Sequence, residues 1–124
     1  MQFDSGSHLF TTPSSITGSG GVTLAGGGAA DVTINGAFDI TGQTHINGDT
    51  LSLNSAASTG ILLLENGGVV DGSGSINSGG LFDFRGGSVN TMVTANGGIN
   101  FAGPGAMTIG GVVDNRGAAT WALG

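Results

Sequence analysis

The chain contains no cysteine, no tyrosine and no lysine, and its only strongly basic side chains are Arg85 and Arg116. Each absence removes a class of function. Without Cys there is no disulfide framework, no thiolate nucleophile and no Cys-ligated zinc site. Nucleic-acid binding leans on several Lys and Arg to displace phosphate counterions, so this composition argues strongly against it and no nucleic-acid partner is expected. A formal net charge of −6 also disfavours an anionic membrane surface. Long hydrophobic runs are missing as well. The longest aliphatic run, Ile61–Leu64, is far short of the roughly 20 residues that span a bilayer, and no membrane insertion is expected. The opening MQFDSGSHLF has neither the basic region nor the apolar stretch of a signal peptide. An exported parent would have lost its signal or would carry this chain inside a longer polypeptide.

Helix is nearly excluded too. The 27 glycines interrupt almost every stretch of ten residues, and no window sustains apolar residues at i, i+3, i+4 and i+7. Charged residues are only 8% and hydrophobic ones 38%, which is not the composition of a charged, disordered chain. Short apolar alternations between glycines indicate many short strands and tight corners.

What is present is a repeat. Gly60–Gly79 (GILLLENGGVVDGSGSINSG), Gly80–Gly97 (GLFDFRGGSVNTMVTANG) and Gly98–Gly117 (GINFAGPGAMTIGGVVDNRG) are copies of about 20 residues, and Ala118–Gly124 begins another. The pairs Leu62/Leu64, Phe82/Phe84, Ile99/Phe101 and Ala119/Trp121 fall at equivalent places. Such a period marks a solenoid, whose units are too small to bury their apolar faces alone. Gly18–Gly36 and Ala37–Gly60 read as looser copies, with Val22/Leu24, Val32/Ile34, Phe38/Ile40 and Leu51/Leu53 alternating as half-buried strands do. Residues 1–17, with Pro13 among them, read as an irregular N-terminal lead-in or as a cap over the first open edge. The expected fold is an all-β, single-domain parallel β-helix over 18–124. Roughly five coils would give a rod roughly 24 Å long.

A meander competes over residues 31–53, because Asn35-Gly36 and Asn47-Gly48 lie between alternating segments and Asn-Gly is a strong hairpin signal. The period of about 20 residues decides for the solenoid, in which Asn and Gly serve as corners.

Units such as GGLFDFRGGSVNTMVTANGG and GAMTIGGVVDNRGAATW resemble the Gly/Asn-rich β-helix repeats of bacterial extracellular proteins. These are autotransporter passengers and filamentous-haemagglutinin-like adhesins. The resemblance covers about residues 18–124 and implies a right-handed parallel β-helix at the cell surface, acting as an adhesin stalk or scaffold. Members of such families have many more coils, so a short chain suggests a fragment, a minimal module or an assembling subunit.

Catalytic signatures are sparse. The imidazoles are His8, in the lead-in, and His45, which by alternation faces solvent, and no G-x-S-x-G elbow occurs. Neither H-x-H nor H-E-x-x-H is found. Gly26–Ile34 begins like a calcium β-roll nonapeptide and places Asp31 correctly, but Ala29 and Thr33 break the pattern and no tandem copy follows. No catalytic residue, metal or cofactor is expected.

Glu65, Asp83 and Arg85 form the candidate outer face. It serves either as a carboxylate pair for a polysaccharide lying along the rod or as a solvated surface with an ion pair of about 0–1 kcal/mol. Leu62, Leu64, Phe82, Phe84, Ile99, Phe101 and Trp121 are the expected core ladder. Ala119, Trp121 and Leu123 would form an open end for head-to-tail stacking. The expected role is a non-catalytic structural module, its partner a second copy or the rest of a larger surface protein. A carbohydrate-binding or carbohydrate-cleaving β-helix is the alternative.

Overall fold

Alternation with period two turns one side of each short strand inward, and corners rich in Gly, Asn and Ser turn the chain between strands. A computed structural model, which describes residues 1–122, shows the result: an all-β solenoid of stacked parallel coils, with no helix among the described residues.

Each coil contributes three strands. The first holds β1 (Gln2–Phe3), β2 (Gly6–Phe10) and β3 (Ser15–Gly18), the second β4 (Val22–Leu24), β5 (Ala30–Ile34) and β6 (Ala37–Ile40). The third is β7 (Gln43–Asn47), β8 (Thr50–Leu53) and β9 (Ala56–Thr59), the fourth β10 (Ile61–Glu65), β11 (Val69–Asp71) and β12 (Ser75–Ser78). The fifth is β13 (Phe82–Phe84), β14 (Gly87–Val89) and β15 (Met92–Ala95), the sixth β16 (Ile99–Ala102), β17 (Met107–Ile109) and β18 (Val112–Asn115). Strand β19 (Ala119–Ala122) opens a seventh.

Every third strand pairs in parallel, giving three sheets. The first runs β1-β4-β7-β10-β13-β16-β19, the second β2-β5-β8-β11-β14-β17, the third β3-β6-β9-β12-β15-β18. Coil length varies at the corners while the ladders hold. Gly6 pairs with Ala30, 24 positions on, and Phe82 with Ile99, 17 on.

Two expectations change, and the competing meander does not form. The coils number six rather than five, because residues 1–17 are not an irregular lead-in: Gly6–Phe10 pairs residue for residue with Ala30–Ile34, and Ser15–Gly18 with Ala37–Ile40. Pro13 does not interfere, since it occupies the turn between β2 and β3, where no ladder donor is needed. The looser copies were out of phase: the second coil is Val22–Ile40 and the third Gln43–Thr59, so Gly36 is a corner inside a coil. The meander is absent, because β5 and β6 belong to different sheets. Neither Asn35 nor Gly36 has positive φ, whereas Asn66 (56°) and Gly67 (81°) both do, and even there the chain proceeds to β11 on the next face. Pairing with neighbouring coils overrides the local hairpin signal.

The inward side chains stack in rows along the rod. One row of the first sheet is Leu24, Ile46, Leu64, Phe84, Phe101 and Trp121. The aromatic part is continuous, with ring centroids 6.1 Å apart between Phe84 and Phe101 and 4.5 Å between Phe101 and Trp121. Thr44 breaks the neighbouring apolar row, and its hydroxyl lies 2.8 Å from that of Thr59 across the interior. Another polar group is buried at a corner. The Asp49 carboxylate, from the corner between β7 and β8, accepts hydrogen bonds from the N–H groups of Gly26, Gly28 and Ala30 in the coil below.

Gly87 illustrates the closeness of the coils. Its φ is +114°, and a Cβ there would lie 2.1 Å from the Gly68 carbonyl oxygen. Gly20 has open space within 4 Å and no positive φ. Chemical denaturation of the two alanine variants tests this: Gly87→Ala is expected to lose about 2 kcal/mol or more, Gly20→Ala to be neutral or gain about 0.5 kcal/mol.

Candidate functional site

The polar residues of each coil fall outward because the apolar ones face in, and stacking brings equivalent outward residues of successive coils side by side. On the first sheet one outer row is Thr23, His45, Leu63, Asp83, Asn100 and Thr120. Asn47 and Glu65 lie one pleat further along, and Arg85 follows Phe84 beside Glu65. Glu65, Asp83 and Arg85 therefore share one face on adjacent coils. His45 joins them: half-buried, its Nε2 is 2.7 Å from Glu65 Oε1. The alternation argument put His45 outward but missed this diagonal pairing.

Arg85 donates from Nε to Asp83 Oδ2 at 3.0 Å, and its Nη2 lies 2.8 Å from the same oxygen. That hydrogen-bonded carboxylate, with its charge, holds the guanidinium above its ordinary value, and Glu65 adds to the effect. The group is protonated at any ordinary pH. The other oxygen of Asp83 accepts from Asn100 Nδ2 at 3.2 Å, and Asn100 Oδ1 accepts from Thr120 at 2.8 Å.

The same stitching recurs at the corners. Asn54 donates to Asn35 and Asn66 to Asn47, each at 2.7 Å, and Asn96 donates to Asn77. Ser58 donates to Asp39 and Ser52 to Asp71. Each of these five bonds joins residues 19 positions apart, one coil from the next. The recurrence of Asn at that spacing was visible in the sequence, although only the register showed which pairs meet.

Asp31 is exposed, and the loop before it turns N–H donors toward Asp49 rather than oxygen ligands toward a cation. The outer face of the third sheet carries a shallow groove of about 440 Å³, floored by small residues including Ala37, Ala56 and Ser75. Sequence reading had not marked it.

The two ends differ. In the first coil Phe3 lies against His8 (ring centroids 4.8 Å) and Phe10 (6.0 Å), so the aromatic rings partly close that end, and Phe3 is buried. At the other end Leu62, Leu64, Phe82, Phe84 and Ile99 are buried, Phe101 is half-buried, and Trp121 is 68% exposed. Phe101, Met107, Ile109 and Trp121 line an apolar cavity of about 310 Å³ with Gly105. Ala119 lies on the same terminal strand, and Leu123 falls outside the described residues.

Compared with known protein families, with curated proteins and with solved structures, the chain matches none.

Two substitutions separate buried from surface electrostatics. Asp49→Asn turns an acceptor of three backbone N–H groups into a partial donor and is expected to cost about 1–3 kcal/mol. Asp83→Asn, on the partly solvated pair, should cost less than about 1 kcal/mol. Thermal or urea unfolding of both variants ranks them, and the reverse order would refute the assignment.

Proposed function

We propose that the protein is a non-catalytic structural β-solenoid module of an exported bacterial surface protein, an adhesin stalk or a fibre subunit that stacks end to end. The observation that carries this reading is the use made of the polar side chains. Asp39, Asp71, Asp83, Glu65, His45 and the paired asparagines bond across coils, so these side chains take part in stacking. The Gly/Asn-rich rhythm, shared with bacterial extracellular repeats, supports the cell-surface assignment.

The open end supports the partner. Strands β17, β18 and β19 are the last of their sheets among the described residues, and an unpaired strand edge is a template for another strand. After β19 the next strand position lies beside β17 on the second sheet, next to Met107 and Ile109. A further coil, from a second copy or from the rest of a larger polypeptide, would cover Trp121 and complete the ladders. The collection of Glu65, Asp83, Arg85 and His45 on one face favours a glycan as the second reading.

Light scattering after size exclusion, with negative-stain electron microscopy across micromolar concentrations, tests the stacking. Concentration-dependent rods are expected, weakened by Trp121→Ala and by Ile109→Lys. A monodisperse monomer at every concentration, unchanged in both variants, would rule out stacking of this chain on itself. Saturable glycan binding lost in Asp83→Asn would then favour the second reading.

A further inference from the structure

The chain carries four Asn-Gly pairs, Asn35-Gly36, Asn47-Gly48, Asn66-Gly67 and Asn96-Gly97. Asn-Gly is chemically labile when the glycine amide nitrogen can reach the asparagine Cγ. That nitrogen loses its proton to solvent base and attacks Cγ. A C–N bond forms to close a succinimide, the Cγ–Nδ2 bond breaks, and ammonia leaves with the returned proton. Water then opens either imide bond, leaving aspartate or an isoaspartyl link. The sum is one water consumed and one ammonia released.

We propose that the fold makes Asn66-Gly67 the self-modifying site and protects the other three. The Gly48 N–H donates to the Glu65 carbonyl at 3.1 Å, and the Gly97 N–H donates to the Gly80 carbonyl at 3.1 Å, so both nucleophiles are engaged in coil-to-coil bonds. Gly36 is buried, and a Cβ there would lie 2.0 Å from the Ser14 carbonyl oxygen and 2.8 Å from that of Thr11, so the backbone of the first coil packs closely against it. Gly67 differs from Gly48 and Gly97 in its N–H, and from Gly36, whose N–H likewise has no acceptor among the described residues, in its surroundings. Its N–H has no acceptor among the described residues, and a Cβ there would find nothing within 4 Å. Both Asn66 and Gly67 are exposed.

The consequence falls on the contact between the third and fourth coils. The amide nitrogen that leaves is the one donating to Asn47 Oδ1 at 2.7 Å, so the reaction removes that bond. It places a new carboxylate one residue from Glu65 and adds a negative charge to a chain already at −6. Asn66 is also the only non-glycine among the described residues with positive φ, in a tight turn closed by the Gly68 N–H and the Glu65 carbonyl. The extra methylene of an isoaspartyl link does not fit that turn, so modification loosens the corner. This chemistry does not depend on what the rod does or on whether its ends assemble.

The test is incubation of the folded protein in mildly alkaline buffer, with peptide mapping by mass spectrometry and an assay for released ammonia. A parallel sample is kept unfolded in urea. The unfolded chain is expected to convert at all four pairs, because local sequence alone then sets the rate. The folded protein is expected to convert several-fold faster at Asn66 than at any other pair, and Asn66→Gln to abolish most of the ammonia. Equal conversion at the four sites of the folded protein would overturn the proposal, as would faster conversion at Asn35, Asn47 or Asn96. So would an intact Asn66 in the folded sample after the urea sample has converted.

Discussion

Everything in this molecule depends on the parallel backbone ladder between one coil and the next. A single coil of three short strands has no partner for its outward N–H and C=O groups along the rod axis and no second layer for its apolar side chains. Stacking supplies both at once, as each strand pairs with the strand one coil away and each inward residue meets its equivalent. The requirement that ladders stay in register explains why corners, not strands, absorb the differences in coil length. It also explains the glycines: where coils approach closely, as Gly87 does the Gly68 carbonyl, a side chain would occupy the space of the neighbouring backbone.

Polar groups obey the same constraint. The asparagine pairs, the Ser–Asp pairs and the His45–Glu65 pair repeat the backbone pattern at the level of side chains, linking equivalent or diagonal positions of adjacent coils. Polarity enters the interior at Asp49, at the Thr44–Thr59 pair, at Ser78 and at Thr91, and each is satisfied there: Asp49 by three N–H groups, Thr44 by Thr59, Ser78 by the Gly80 and Leu81 carbonyls and Thr91 by the Gly74 carbonyl. A rod built this way is uniform along its length and differs mainly at its ends. Phe3, His8 and Phe10 gather over the first coil, while Phe101, Ile109 and Trp121 leave the last one open.

The solenoid was legible because Gly60–Gly117 repeats with little distortion, so Leu62, Phe82, Ile99 and Ala119 could be aligned by eye and are register partners in the structure. The first coil was not legible. Its copy of the repeat is stretched by the Pro13 turn, and in Gly6–Phe10 the half-buried, inward positions are His8 and Phe10, of which only Phe10 is apolar. Of the candidate outer face, Asp83 and Arg85 were identifiable as neighbours on one strand side. The link of Asp83 to Asn100, and of His45 to Glu65, required knowing which residue of the next coil lies alongside.

By itself the sequence determined the fold class and the inward and outward faces of the later coils. These follow from alternation and period, which are local properties of the chain. The tertiary structure alone decided the number of coils, the phase of the second and third, the fate of each Asn-Gly pair and the partners of the buried Asp49. Those depend on register between segments 17 to 24 residues apart. Register is set by the summed packing and hydrogen bonding of whole coils, which no single segment encodes.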